Sequence, residues 1–118
     1  MVIPKKLPIK TSPEAKLQAK IIEMLQAREW FVKATHGNLY QSGFPDLYAC
    51  HHKYGQRWIE VKIKEHYSFT GAQLINFPRF SAAGAKIWIL TDATESEYNK
   101  LFGPENWFFY LKGMGFNP

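Results

Sequence analysis

The sequence lacks the features on which several classes of protein depend. Among its 118 residues there is a single cysteine, Cys50, which excludes an internal disulfide and any zinc site built on several cysteines. No apolar run approaches the roughly 18 residues that a membrane-spanning helix requires, so no membrane partner is expected. The basic N-terminal residues are followed by no apolar stretch of the secretory type. These absences together predict an intracellular, cytoplasmic protein.

Acidic residues are also fewer than basic ones. Ten Asp and Glu face fifteen Lys and Arg, which leaves a net charge of +5 and suits a polyanionic partner. Hydrophobic residues make up 46% of the chain, with nine Phe, six Tyr and four Trp, which is ample for a packed core. We therefore expect a loose leader over residues 1–11 and a single domain over residues 12–118.

Capping signals and apolar periodicity predict a mixed α/β fold. Ser12 and Pro13 mark the start of a helix that should run to about Arg28. Another helix should begin at Thr70, and Pro78 should kink or end it. Strands are predicted over residues 30–35, 46–51, 57–63 and 86–91, the second and third forming an antiparallel hairpin. The order α-β-β-β-α-β describes a central mixed sheet flanked by helices.

The C-terminal elements are less regular. Residues 96–102 are typical of a short helix. Residues 107–111, which are mostly aromatic, are interpreted as a final strand or an interface segment.

One stretch of the sequence carries chemistry. Gly43-Phe44-Pro45-Asp46 is followed, after thirteen residues, by Glu60-Val61-Lys62. Because alternate side chains of a strand share a face, Glu60 and Lys62 should project together, and the hairpin can bring Asp46 beside Glu60. Two adjacent carboxylates form an oxygen site for Mg²⁺ or Mn²⁺, and a neighbouring lysine can orient water or offset charge on a phosphate. The alternative interpretation is a solvated ion pair on an exposed sheet face.

A third acid, Glu14, lies on the side of the first helix that carries Leu17, Ile21 and Leu25. A carboxylate on a stripe that faces the core needs a partner or a metal ion. Alternatively, Glu14 only compensates the helix dipole in the first turn. Glu23 lies on the opposite side of the helix and is predicted to be a surface residue.

These motifs resemble those of the PD-(D/E)xK nuclease superfamily. The resemblance rests on Ser-Gly-Phe-Pro-Asp-Leu over residues 42–47 and Trp-Ile-Glu-Val-Lys over residues 58–62. Glu14 with Gln18 upstream, and Gln73 downstream, make the chain similar to the VRR-NUC branch, whose single-domain members occur in phages and bacteria and resemble Holliday-junction resolvases. The match extends over about residues 12–92 and implies a restriction-endonuclease-like core.

The resemblance also implies roles for particular residues. Asp46, Glu60 and the backbone carbonyl of Val61 would ligate the catalytic Mg²⁺ (or Mn²⁺), with Glu14 acting on the metal directly or through water. Lys62 would position or activate the attacking water. Gln73 would steady this lysine or the substrate.

Further residues are candidates for contacts with nucleic acid. The polar loop that leads to Asp46, which has an ordinary connecting loop as its alternative, contributes His36, Asn38, Gln41 and Ser42. The region just after the strand over residues 57–63 contributes Lys64 and His66, and the region near Gln73 contributes Arg79.

By this resemblance the chain is a metal-dependent endodeoxyribonuclease that acts on branched DNA, most simply a four-way junction, in recombination or repair. Cutting both strands of a junction needs two active sites and hence a homodimer, for which residues 107–110 could supply part of the interface. The expected location is the nucleoid of a bacterial or phage-infected cell. The alternatives are a nicking or restriction-type nuclease, and a domain that binds nucleic acid without cutting it.

Overall fold

The first helix, α1 (Pro13–Ala27), begins where its capping signals predict. A computed structural model describes residues 12–35 and 43–112 of the chain. In it the Ser12 side chain accepts a hydrogen bond from the Ala15 N–H at 3.1 Å, and a proline at the first helical position needs no hydrogen-bond partner. The apolar face of α1 packs on the sheet through Ile21 and Leu25, as predicted, and also through Met24.

The strands form one four-stranded sheet in the order β1-β2-β3-β4. The first three strands are antiparallel, and β3 pairs with β4 in parallel across the connection that contains the second helix. The predicted hairpin and the predicted mixed sheet are therefore confirmed. The strands are β1 (Phe31–Ala34), β2 (Leu47–His51), β3 (Gly55–Val61) and β4 (Ile87–Leu90).

Helix α2 (Gly71–Ala82) continues through Pro78, so the prediction that this proline could end the helix was wrong, while a kink at the proline stays a prediction. A capping box between Thr70 and Gln73 fixes the start of the helix. Phe77, fully buried, and Phe80 lie on either side of the proline and pack in the same apolar cluster. Burial of these two rings offsets the hydrogen bond that proline cannot donate.

The C-terminal part of the described chain is helical. The predicted short helix is present as α3 (Glu95–Asn99) with a 3₁₀ turn over Lys100–Phe102. Residues 107–111 lie in helix α4 (Trp107–Lys112), so the prediction of a final strand was wrong. The physical reason is at the outer edge of β4, where the Asn106 side chain accepts from the Ile89 N–H at 2.6 Å and donates to the Ile89 carbonyl at 3.1 Å. A side chain thereby satisfies the backbone groups that another strand would have paired.

Two apolar clusters occupy the two faces of the sheet. The cluster on the α1 face includes Ile21, Leu25, Leu47, Ile59, Val61 and Leu90. The cluster on the α2 face includes Phe69, Phe77, Ile87, Ile89, Trp107 and Leu111. Strand β3 contributes to both faces in alternation, which places Glu60 on the α2 face. Within residues 12–35 and 43–112, no helix combines the length and the apolar character needed to cross a membrane.

Candidate active site

Three carboxyl groups converge at the edge of the sheet where β2 begins and β3 ends. Glu14 comes from the first turn of α1, Asp46 immediately precedes β2, and Glu60 lies near the end of β3. One carboxylate oxygen of each lies within 4.8 Å of the other two. The register pairs Leu47 with Ile59, and the preceding residue, Asp46, therefore lies across from Glu60. The structure thus brings together the three acids that the sequence motifs singled out.

Backbone hydrogen bonds orient two of these carboxyl groups. The Asp46 N–H donates to Glu60 Oε1 at 3.1 Å, and the Val61 N–H donates to Asp46 Oδ2 at 2.9 Å. Each acid is therefore held by the main chain of the other strand. The main chain of Val61 is part of the site, whereas its side chain is fully buried in the core on the other face.

Lys62 lies inside the molecule beside Glu60. Its Nζ is 2.9 Å from Glu60 Oε2 and donates to Gln73 Oε1 at 3.1 Å, while Gln73 Nε2 donates to Glu60 Oε2 at 2.8 Å. The ammonium also lies 4.5 Å from the centre of the Phe69 ring. The side chains of Lys62 and Glu60 are 6% and 1% exposed, so the interpretation as a solvated surface ion pair was wrong.

Helix α2 positions the glutamine of this network. The Gln73 N–H donates to Thr70 Oγ1 at 3.1 Å, and Gln73 Oε1 accepts from the Thr70 N–H at 3.0 Å. The capping box that starts α2 therefore also aims Gln73 at Lys62 and Glu60.

The electrostatics of the cluster favour a cation. Burial, and after it the neighbouring Asp46 carboxylate, raises the pKa of Glu60 to about 8, although Lys62 and Gln73 act in the opposite direction. Burial and Asp46 likewise raise the pKa of Glu14. Three carboxyl oxygens with one ammonium beside them form a donor set that fits a hard divalent ion such as Mg²⁺ or Mn²⁺.

Glu14 is more exposed than its place on the helix predicted. It is an exposed residue of the first turn of α1, and the fully buried part of the helix face begins only at Ile21. Glu14 and Asp46 line a cavity of about 310 Å³ together with Ser12, Ala15 and Gln18. The carboxylate cluster therefore opens to solvent on the α1 side.

The remaining predicted contacts with nucleic acid divide into two groups. The first group, Lys64, His66 and Arg79, is exposed. Lys64 and His66 follow Lys62 after the end of β3, and Arg79 lies on α2, six residues after Gln73. The other candidates lie outside the described residues: His36, Asn38, Gln41 and Ser42.

Sequence reasoning missed a close contact between α2 and the loop before Asp46. Gly43 has a φ of +84°, and a Cβ at this position would lie 2.4 Å from Asn76 Nδ2 and 2.9 Å from the Ala72 carbonyl oxygen. The glycine in the motif could have indicated a close backbone approach, but the spacing of the motif does not show which helix it approaches.

Comparisons with known proteins agree with this architecture. A solved structure described as a "VRR_NUC domain" superposes with a TM-score of 0.62 and 22% sequence identity, over 76% of this chain and 95% of that chain. No protein-family model matches the sequence, and a comparison with curated proteins finds no match. The structural likeness confirms the fold that the motifs predicted.

Proposed function

We propose that this chain, which has the fold of a VRR_NUC domain, is a metal-dependent nuclease that hydrolyses phosphodiester bonds in DNA. The observation that supports the proposal is the buried Glu60–Lys62 pair with two further carboxyl groups beside it. Holding like charges this close together, with one of them buried, is costly unless a cation compensates them. A structural ion pair would need one acid, and this cluster has three.

The three acids are the natural ligands for a divalent ion. Glu14, Asp46 and Glu60 would hold Mg²⁺ or Mn²⁺, and the Val61 carbonyl would be a further ligand by analogy with the motif. When bound, the ion supplies Lewis-acid stabilisation of a phosphate and lowers the pKa of a coordinated water.

Lys62 contributes a positive charge, and Gln73 helps to hold it in place. The Lys62 ammonium is buried and is held beside the acids by Glu60 Oε2 and Gln73 Oε1. A charge fixed beside the scissile phosphate orients the attacking water and offsets the negative charge that develops on the phosphate. Gln73 is a positioning residue, since it bonds both members of the ion pair.

Branched DNA, most simply a four-way junction, is the substrate that we propose. The net charge of +5 and the exposed Lys64, His66 and Arg79 support binding to a DNA backbone. A homodimer would supply the two active sites that a symmetric junction requires. A nicking or restriction-type enzyme would share the same chemistry and differ in the DNA that it cuts.

The test is the substitution Asp46→Asn. Asparagine still offers an oxygen to the Val61 N–H, so the fold should persist while one ligand charge is lost. Wild-type protein should cut DNA in Mg²⁺ or Mn²⁺ and not in EDTA. The variant should lose cleavage and bind DNA as well as before or better, because a negative charge that faces the phosphates is gone. Junction, flap, duplex and single-stranded DNA are each incubated with both proteins.

Asp92→Asn is the matched control. Asp92 is exposed, follows β4, and likewise accepts a backbone hydrogen bond, from the Ala93 N–H at 2.8 Å. It should cut like wild type. Near-normal cleavage by Asp46→Asn, or no metal-dependent cleavage by the wild type on any of the four DNAs, would overturn the proposed function.

A further inference from the structure

Aromatic side chains extend from the carboxylate cluster along the α2 face of the sheet. Tyr48 and Trp58 are cross-strand partners with ring centroids 5.0 Å apart. Trp58 contacts Phe80 of α2 at 5.1 Å, and Phe44, in the loop before Asp46, lies 5.9 Å from Phe80. These four rings, Phe44, Tyr48, Trp58 and Phe80, are termed the aromatic patch.

The aromatic patch is open to solvent. Phe44 is 41% exposed, and the other three rings are partly exposed. On the neighbouring strand, Phe31 is 63% exposed and Lys33 is exposed as well. In the described part of the chain, α2 therefore packs on β3 and β4 and leaves this side of β1 and β2 accessible. Clustered rings in contact with water are the mark of an interaction surface.

The aromatic patch adjoins the carboxylate cluster along β2 and β3. Trp58 precedes Glu60 by two residues, and Tyr48 follows Asp46 by two residues, so each ring shares a face with its acid at a spacing of about 7 Å. Phe44 precedes Asp46 by the same number of residues. A nucleic-acid strand that runs from the carboxylate cluster along β2 and β3 on the α2 face would therefore place its next nucleotides over these rings.

The charge of this face also suits nucleic acid. Lys33 pairs with Tyr48 in the register of β1 and β2, which places its ammonium beside the patch. By strand alternation, the residues that β1, β2 and β3 place on this face before Glu60 include no acid: Phe31, Lys33, Tyr48, Cys50, Gln56 and Trp58. One cation and several rings beside a phosphate site match the known chemistry of single-strand binding, in which aromatic side chains stack on bases.

We propose that the aromatic patch stacks on unpaired bases of the substrate next to the scissile phosphate. The inference rests on the proposed function and adds a substrate class to it: nucleic acid whose bases are unpaired close to the cleavage point, as in a single strand, a flap or the centre of a junction. A continuous duplex keeps its bases paired and offers no free ring face to the patch.

Tryptophan fluorescence tests the contact directly. Three of the four tryptophans are buried: Trp30 is 3%, Trp88 5% and Trp107 8% exposed, which leaves Trp58 as the partly exposed one. Oligothymidine, titrated into the protein in EDTA, should quench the fluorescence, and a bound blunt duplex of equal length should not. Trp58→Phe keeps a ring at this position and should lose the quenching. Quenching by the duplex to the same extent, or bound oligothymidine that leaves the fluorescence unchanged, would refute the proposal.

A matched pair of substitutions tests the energetic contribution. Phe44→Leu keeps apolar volume and removes the ring face, as does Phe102→Leu in the 3₁₀ turn, where Phe102 packs on Tyr54 and Tyr98. The two phenylalanines are 41% and 44% exposed. Phe44→Leu should weaken oligothymidine binding by about fivefold or more and duplex binding little, and Phe102→Leu should change neither.

Two results of this comparison would contradict the inference. One is an equal loss of oligothymidine affinity in both variants, or no loss in Phe44→Leu. The other is a change of oligomeric state in Phe44→Leu without a change in DNA affinity, which would assign the patch to a second copy of the chain. Because binding is measured in EDTA, it does not depend on cleavage. Fluorescence quenching by oligothymidine in a protein that never cuts DNA would contradict only the proposed function. Cleavage of DNA by a protein whose fluorescence is not quenched would contradict only this inference.

Discussion

At the scale of a single residue, Glu60 shows how burial changes the pKa of a carboxyl group in the candidate metal site. It is 1% exposed, yet Oε1 accepts from the Asp46 N–H and Oε2 from both Lys62 and Gln73. These donors favour the charged form, but burial and the adjacent Asp46 carboxylate outweigh them and raise its pKa to about 8. Without a bound metal ion, burial and Asp46 therefore favour the protonated form of Glu60 at pH values at which an unfolded chain would have released the proton.

This shift predicts how stability depends on pH and on metal. Between the ordinary pKa of 4.5 and about 8, the folded chain binds a proton that the unfolded chain does not, so the free energy of unfolding falls as pH rises through this window. Metal binding requires the proton to leave. In EDTA we therefore expect a Tm that declines from pH 6 to pH 9, and a stabilisation by Mg²⁺ that grows over the same range. Thermal denaturation at each pH, with and without Mg²⁺, measures both.

The variant Glu60→Gln supplies the control for this titration. It removes the titrating group and one ligand charge, so its Tm should depend less on pH over this range and respond little to Mg²⁺. A wild-type Tm in EDTA that rises from pH 6 to pH 8, or a stabilisation by Mg²⁺ that is the same at pH 6 and pH 9, would contradict the assignment.

At the scale of elements, α2 holds the site from two directions. Its first turn presents Gln73 to the Glu60–Lys62 pair, and the backbone at Ala72 and the side chain of Asn76 meet Gly43 in the loop before Asp46. One helix thus links both strands that carry the acids.

Two glycine substitutions distinguish the effect of this contact on cleavage from the effect of backbone strain on stability. Gly43 and Gly55 have nearly the same φ, +84° and +85°, so alanine at either position should cost about 1 kcal/mol or more of stability. At Gly55 a Cβ meets nothing within 4 Å, whereas at Gly43 it meets Asn76 and the backbone of Ala72. We expect both variants to lower Tm and only Gly43→Ala to lower the cleavage rate as well, since it displaces the loop that carries Asp46. Equal cleavage rates in the two folded variants would show that the contact does not position the site.

The same scale shows which elements a sequence can predict. The start of α1 and the buried strand β4 were predicted because their signals are local, a Ser-Pro cap and four consecutive apolar residues. Helix α4 was predicted as a strand because its aromatic residues favour strands. What decides its structure is Asn106 on the edge of β4, an interaction between residues 17 positions apart.

For the candidate site, too, the features that follow from local rules were predicted and those that depend on tertiary packing were not. The spacing of Asp46, Glu60 and Lys62 predicted that they would meet, because strand alternation and a short hairpin are local rules. The burial of Lys62 and the close approach of Gly43 to α2 depend on how a later helix packs on the sheet. Tertiary packing of this kind has no signature in the motif itself.

At the scale of the whole molecule, helix α4 combines buried and exposed rings that its sequence did not distinguish. Trp107 and Leu111 are buried on the α2 face of the sheet and belong to the core. Phe108 and Phe109 are 38% and 70% exposed. Residues 107–110 were expected to contribute to a dimer interface, and among these four Phe108 and Phe109 are the exposed ones.

The last prediction concerns assembly and substrate. A symmetric junction needs two active sites, and two copies of a chain with net charge +5 would carry about ten positive charges, which makes DNA binding strongly dependent on salt. Pairing Phe108 and Phe109 across a two-fold axis would remove their rings from water.

We expect the wild type to sediment at about twice its 13.7 kDa mass and to cut junctions faster than linear duplex. Phe109→Ser should shift it toward the monomer and reduce junction cleavage, whereas Ile75→Ser, which alters an exposed apolar residue of α2 (57%), should leave both unchanged. A wild-type monomer that cuts duplex as fast as junctions would exclude the junction substrate and leave the chemistry of the carboxylate cluster intact.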